Sequence, residues 1–284
     1  MTRLKLCLAI FVLLTATLAC GLPGGQTPEP PTEALVTEPA EEVTREAAYT
    51  CPAGFMAGTA LTVEFCYPNG YATGYDQQLI PELQPDPNTA YWDFNPDTIE
   101  IELTGYPISN EYHQPQVHIY PVADYVALEP DIQVTVNELQ SLLTSQDPNP
   151  SAIPFLPIYN AAQMMQAKVT YLDFRSGAGV RFITQYGQAA MPINNVSAIY
   201  AFMGLTADGQ YIVSATFPVT HPDFAADNMT EPVEGWATFS ENYETYVNDM
   251  ETSLAAQADD AFTPDLAMLD TMMESFMVPA TAIP

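Results

Sequence analysis

The sequence predicts an α+β protein, an antiparallel sheet covered by helices. Three observations carry this expectation. Strand-period alternation recurs through the first half, the second half holds two apolar hairpins of which the first is apolar on both faces, and the period turns helical after about Ser240.

Arg3 and Lys5 give the chain a positive start, Leu6 to Leu14 form an apolar core, and Thr17-Leu18-Ala19 places a small residue before Cys20. This is the layout of a signal peptide over residues 1–19. The apolar run of about a dozen residues falls short of the roughly 20 that a permanent spanning helix needs. Thr17-Leu18-Ala19-Cys20 resembles a lipoprotein processing box, in which the cysteine is acylated, as by palmitate, and becomes the mature N-terminus. Cys7 leaves with the signal, so lipidation of Cys20 leaves Cys51 and Cys66 as a pair for a disulfide in an oxidising compartment. The alternative, an ordinary secretory signal cut after Ala19, leaves an orphan thiol.

From Gly21 to about Arg45, Pro, Gly, Thr and Glu dominate, with too little apolar surface to offset ordering entropy. Glu29, Glu33, Glu38, Glu41, Glu42 and Glu46 repel one another and extend the segment. Residues 20–48 are therefore expected to be the lipidated cysteine and a spacer, and residues 49–284 a single α+β domain.

That domain opens with strands. Leu61, Val63, Phe65 and Tyr67 alternate with Thr62, Glu64 and Cys66 up to the turn Pro68-Asn69-Gly70. Ile99, Ile101 and Leu103 alternate with Glu100, Glu102 and Thr104, and Val117 and Ile119 with His118 and Tyr120. A helix follows Pro130, with Ile132, Leu139, Leu142 and Leu143 on one face, although Val134, Thr135 and Val136 are poor helix formers. The Pro-rich stretch from Asp147 to Pro157 is a loop, and two lobes meeting at 147–157 are an open alternative.

Two hairpins come next: Lys168 to Arg175 with Val180 to Tyr186, and Ile199 to Thr206 with Tyr211 to Val219. Apolar residues on both faces of the first place it at the centre of the sheet, with the second beside it. Tyr243, Tyr246, Val247, Met250 and Leu254 lie at helical spacing. A last helix is expected with Thr263 as cap and Pro264 in its first turn, burying Leu266, Leu269, Met273, Phe276 and Met277. Both helices should lie across one side of the sheet.

Charge excludes some partners. The chain has 6 Lys and Arg against 35 Asp and Glu, a formal net charge of −29. Without Arg3 and Lys5, the bases that remain are Arg45, Lys168, Arg175 and Arg181. Nucleic acid and anionic lipid surfaces, which need basic patches, are set aside. Charged residues make up only 14% of the chain, so its wet faces must be built largely from Asn, Gln, Ser and Thr. A salt-rich or acidic habitat favours such a surface, as does cation binding.

Phe155-Leu156-Pro157-Ile158-Tyr159-Asn160-Ala161-Ala162-Gln163, Gly179-Val180-Arg181-Phe182-Ile183-Thr184-Gln185-Tyr186 and Gly204-Leu205-Thr206-Ala207-Asp208-Gly209 resemble a group of uncharacterised bacterial lipoproteins. The resemblance spans most of the folded region, including Ile99 to Tyr106, and brings no catalytic residues. The Phe65-Cys66-Tyr67-Pro68 turn, the hairpins and the closing Leu269-Asp270-Thr271-Met272-Met273-Glu274-Ser275-Phe276 helix look like the PsbP/Mog1-type α/β/α sandwich. That likeness implies terminal helices over an antiparallel sheet and an accessory or binding role.

Motifs with chemistry are few. G-x-S-x-G, G-x-x-x-x-G-K-[ST], H-E-x-x-H and C-x-x-C are all missing, and no cofactor is called for. His113 and His118 with His221 form a metal site or are separate loop histidines; Pro115 keeps the first two off one helical face. Glu100 and Glu102 point the same way from one strand, about 7 Å apart, as a glycosidase pair or as the wet face of the strand. Lys168, Arg175 and Arg181 concentrate most of the mature cationic charge in one hairpin, as an anion or glycan carboxylate site or as structural ion pairs, with Asp173 beside Arg175. Asn194-Asn195 forms a turn that contacts a ligand or closes on itself.

The chain thus spends its residues on anchor, spacer, sheet and covering helices. The expected function is a non-enzymatic binding or accessory module of the cell envelope, lipid-anchored to the cell or outer membrane and taking a protein, glycan or peptide. An extracytoplasmic hydrolase using Glu100 and Glu102 is the alternative.

Overall fold

The structure, a computed structural model, describes residues 49–85 and 90–283; the expected signal peptide, Cys20 and spacer lie outside the described residues. The chain enters through a hairpin, β1 (Phe55–Ala60) and β2 (Val63–Pro68). β2 keeps its period: Val63, Phe65 and Tyr67 are buried in one cluster while Glu64 is exposed. On its other face Cys66 forms a disulfide with Cys51, with Cα atoms 5.7 Å apart.

β3 (Gly74–Ile80), β4 (Thr98–Thr104) and β5 (Gln116–Pro121) follow, then helices α1 (Val122–Leu128) and α2 (Ile132–Ser145). The two-residue strands β6 (Ala162–Gln163) and β9 (Tyr186–Gly187) pair with each other around the hairpin β7 (Ala167–Phe174) and β8 (Gly177–Thr184). A second hairpin, β10 (Ile199–Thr206) and β11 (Tyr211–Pro218), precedes helices α3 (Trp236–Glu241), α4 (Tyr243–Ala255) and α5 (Leu266–Glu274). Seven strands form one antiparallel sheet in the order β3-β4-β5-β11-β10-β8-β7. Strands from both sides of 147–157 enter it, joined where β5 pairs with β11.

Alternation along the central strands builds two cores. Tyr200, Phe202, Val213, Ala215 and Phe217 face Leu254 of α4 and Leu266, Leu269, Met272 and Met273 of α5. Ile199, Ala201, Met203, Val180, Phe182 and Ile212 face Tyr125 of α1 and Ile132, Val136, Leu139 and Leu142 of α2. Every residue of β10 and β11 is buried, as a strand covered on both faces requires.

The structure corrects two expectations. The Lys168 hairpin is not the centre of the sheet, because β7 is its edge and β10–β11 occupy the middle. Apolar residues on both faces report coverage, not position, and α4 and α5 pack on β7. The last helix is capped by Asp265, whose side chain accepts from Ala267 N at 2.9 Å, and not by Thr263; Pro264 precedes the cap. Phe276 and Met277 lie beyond the helix end.

Candidate functional site

Arg181 projects from β8 toward α5 and is 2% exposed. Its guanidinium forks onto Asp270 of α5, Nε to Oδ1 at 3.0 Å and Nη2 to Oδ2 at 2.8 Å. Nη1 donates to the backbone carbonyl of Lys168 at 2.6 Å, and Nη2 reaches Asp259 at 3.3 Å. Burial works against the charge; the hydrogen bonds and charge of Asp270, with Asp259, more than offset it and hold the Arg181 pKa above its ordinary value.

This buried cation shapes the sheet edge. The β7–β8 register slips between Ala167 and Thr170, and Lys168 sits there at φ 57. A non-glycine residue in this left-handed region costs roughly 1–2 kcal/mol and persists where its surroundings over-determine it. Here Arg181 holds the Lys168 carbonyl, while Lys168 Nζ is 2.7 Å from Asp259 and donates to the Gln257 carbonyl at 2.8 Å.

Beside the bulge, α4 and the Pro148-Asn149 loop enclose a half-open hollow of about 500 Å³. Gln166, Lys168 and Thr170 line it from the edge, and Asn248, Glu251 and Thr252 from α4. Glu251 accepts from Gln166 N at 2.6 Å, so that carboxylate is engaged. The Gln166 Oε1 atom is buried with no hydrogen-bond partner. The side chains of Asn149, Asn248 and Thr252 likewise make no hydrogen bond to other described residues. The hollow therefore presents neutral amides and a hydroxyl, with Lys168 matched by Asp259 and one Glu251 oxygen held by a backbone N–H. That chemistry suits a ligand rich in hydroxyl or amide groups.

The three hairpin bases are not one site. Lys168 and Arg181 meet on Asp259, whereas Arg175 stands at the opposite end of β7. There it pairs with Glu64 at 3.1 Å, not with Asp173, and lies over the Tyr49 ring at 4.2 Å. Gln166, Asn248 and Glu251 carry no signal in the sequence, since amides and carboxylates on wet faces are ordinary there.

The other candidates sit apart. Gln78, Glu100, His118 and Ser214 are successive cross-strand neighbours on the α2 side of the sheet. Gln78 donates to Glu100 at 2.5 Å, and His118 Nε2 is 3.1 Å from Glu100. The His118 hydrogen bond, opposed by burial, leaves the Glu100 pKa below its ordinary value, which makes Glu100 a poor proton donor at neutral pH. Ser214 is 1% exposed and bonds the Leu156 carbonyl, so it is not a free nucleophile for His118. Glu102 lies on the same face, opposite Gln116.

His113 packs edge-on to Tyr159, with ring centroids 5.0 Å apart, and burial lowers its pKa to about 4. His221 packs on Phe262, with Nδ1 accepting from Asp223 N at 3.1 Å. Among the described residues, no group of three His, Cys, Asp or Glu could hold a metal ion. Asn194 closes its turn locally, Nδ2 donating to the Pro192 carbonyl and Oδ1 accepting from Val196 N, while Asn195 Oδ1 ties the turn to the rest of the domain by accepting from His221 N.

No family model, curated protein or solved structure matches the chain. Geometry alone carries the functional reading. By its unspent polar groups, the hollow beside Lys168 is the strongest site among the described residues.

Proposed function

We propose that this chain is a lipid-anchored extracytoplasmic binding protein whose β7–α4 hollow takes a neutral, polyhydroxylated ligand, a glycan of the cell envelope. The observation that carries the reading is the buried, unpartnered Gln166 Oε1 at the wall of a hollow lined by the unspent side chains of Asn149, Asn248 and Thr252. A buried acceptor without a donor costs roughly 1–3 kcal/mol, which a ligand hydroxyl would relieve once the Gln166 amide turned toward the hollow. The Cys51–Cys66 disulfide supports export, since such bonds persist in oxidising compartments. Lipid on Cys20 and the acidic spacer would hold the domain at the membrane and away from its headgroups. The reading includes kinship with the lipoproteins and PsbP/Mog1-type accessory proteins that the sequence resembles.

The test has two arms. Cys20→Ser should move the protein to the soluble fraction or leave its signal uncut; a processed mutant still in the membrane fraction sinks the anchor. Purified full chain titrated with cellobiose, maltose and chitobiose should show saturable binding to at least one. Asn248→Ala should weaken it, and binding untouched by that change would place the ligand elsewhere.

A further inference from the structure

The two edges of the seven-stranded sheet are protected unequally. β7 carries a bulge and Lys168, and α4 and α5 pack on it, devices that keep an edge from pairing with other chains. β3 has none of these. Its register with β4 runs unbroken from Gly74↔Thr104 to Ile80↔Thr98, and it contains no proline or lysine. Asp76 to Leu79 are exposed, and among the described residues the β3 ladder runs to β4 alone.

Its two faces differ in chemistry. On one, Tyr75 Oη accepts from Thr59 N at 2.9 Å and Gln77 Oε1 from Leu61 N at 2.8 Å, which fixes the strand over the β1–β2 hairpin. Leu79 and Leu61 are left 42% and 47% exposed there. On the other, Asp76 and Gln78 stand beside Glu102 and Glu100 of β4. An added strand would meet apolar side chains on one face and carboxylates on the other.

We propose that β3 is a docking edge for an extended segment of another protein, which joins as an eighth strand with alternating basic and apolar residues. Charge complementarity selects this occupant. Its lysines or arginines would lie beside Asp76, within reach of Glu102, and its apolar residues beside Tyr75 and Leu79. A second copy is disfavoured because each copy carries a net charge of −29, and the chain's own 20–48 segment because it is acidic. The edge is opposite the β7 hollow in strand order, so this proposal stands or falls independently of glycan binding.

The probe is a labelled Lys-Val alternating octapeptide, titrated into the purified full chain at low and high salt. Saturable binding weakened by salt is expected, with slowed amide exchange confined to Gly74–Ile80 and β4. A Glu-Val peptide, and a Lys-Val peptide with a central proline, should not bind. The double change Asp76→Lys with Gln78→Lys, both exposed and bonded to no β7 residue, should weaken binding by roughly tenfold or more, whereas Asp124→Lys with Gln133→Lys on the exposed faces of α1 and α2, the same total change of charge away from β3, should not. Binding indifferent to the β3 changes, protection mapped elsewhere, or protection of β3 through dimer formation without peptide would overturn the proposal.

Discussion

Lys168 and Arg181 share one carboxylate. Lys168 Nζ lies 2.7 Å from Asp259 Oδ1 and Arg181 Nη2 lies 3.3 Å from Asp259 Oδ2, so two cations from neighbouring strands converge on a residue more than 70 positions away in the chain. Each base in the bulge is held by acids from the C-terminal third.

Arg181→Met should therefore destabilise the protein by roughly 3–5 kcal/mol, because Asp270 loses its fork and the Lys168 carbonyl its donor. Arg181→Lys keeps the charge but not the fork, and should fall between parent and Met variant. Urea denaturation of the three proteins measures this; a Met variant as stable as the parent would show that the buried cluster is dispensable.

Phe182, fully buried, packs edge-on to Phe155 under the α1–α2 layer. Phe182→Ala should cost roughly 3–5 kcal/mol through lost burial and the cavity left behind. Thermal melting should drop by many degrees, and a shift of only a few would contradict this packing.

The Cys51–Cys66 bond closes a loop with a sequence separation of 15, for which chain entropy gives about 3 kcal/mol. Unfolding with and without reductant should differ by about that amount. Quantitative alkylation of both thiols in unreduced protein from cells would instead show that the bond does not form there.

His113 gives the pH dependence. Its pKa falls from 6.5 to about 4 through burial, so between these values the unfolded chain binds a proton that the native state refuses. The contribution is fully present above pH 6.5 and is lost as pH falls toward 4, up to roughly 3 kcal/mol. His113→Phe should flatten the acid limb of a stability–pH profile across that window. Parallel profiles for parent and variant would place the acid sensitivity in the carboxylates.

Much of this architecture was legible because alternation and helical spacing are strong signals when a face is buried. β4, β5, β8, β10 and β11 announce themselves by their Ile, Val and Phe positions, and α2 and α4 by their spacing. β3 does not: Gly-Tyr-Asp-Gln-Gln-Leu-Ile is exposed along four of its positions, so no apolar stripe marks it. Strand order was hidden too, since β7 is apolar through its helix contacts while lying at the edge. For the site, composition pointed to Lys168, but the bulge that gives Lys168 its role depends on Arg181 across the ladder and on Asp259 and Asp270 far along the chain. No local pattern encodes that.

The first hairpin is sewn to the other end of the domain. Glu64 exchanges backbone hydrogen bonds with Met277 in both directions, at 3.1 and 2.8 Å, and Ser275 Oγ receives Cys66 N at 2.7 Å. A chain that crosses a membrane N-terminus first, as proposed here, must wait with β2 unpaired on that side until Ser275 to Met277 have followed it across. The disulfide that joins Cys51, just before the first hairpin, to β2 involves only residues that arrive early, so it can form while the rest is still in transit. Anchoring and oxidation would then precede folding, and the envelope would receive a tethered, cross-linked but incomplete chain whose last segment closes the structure.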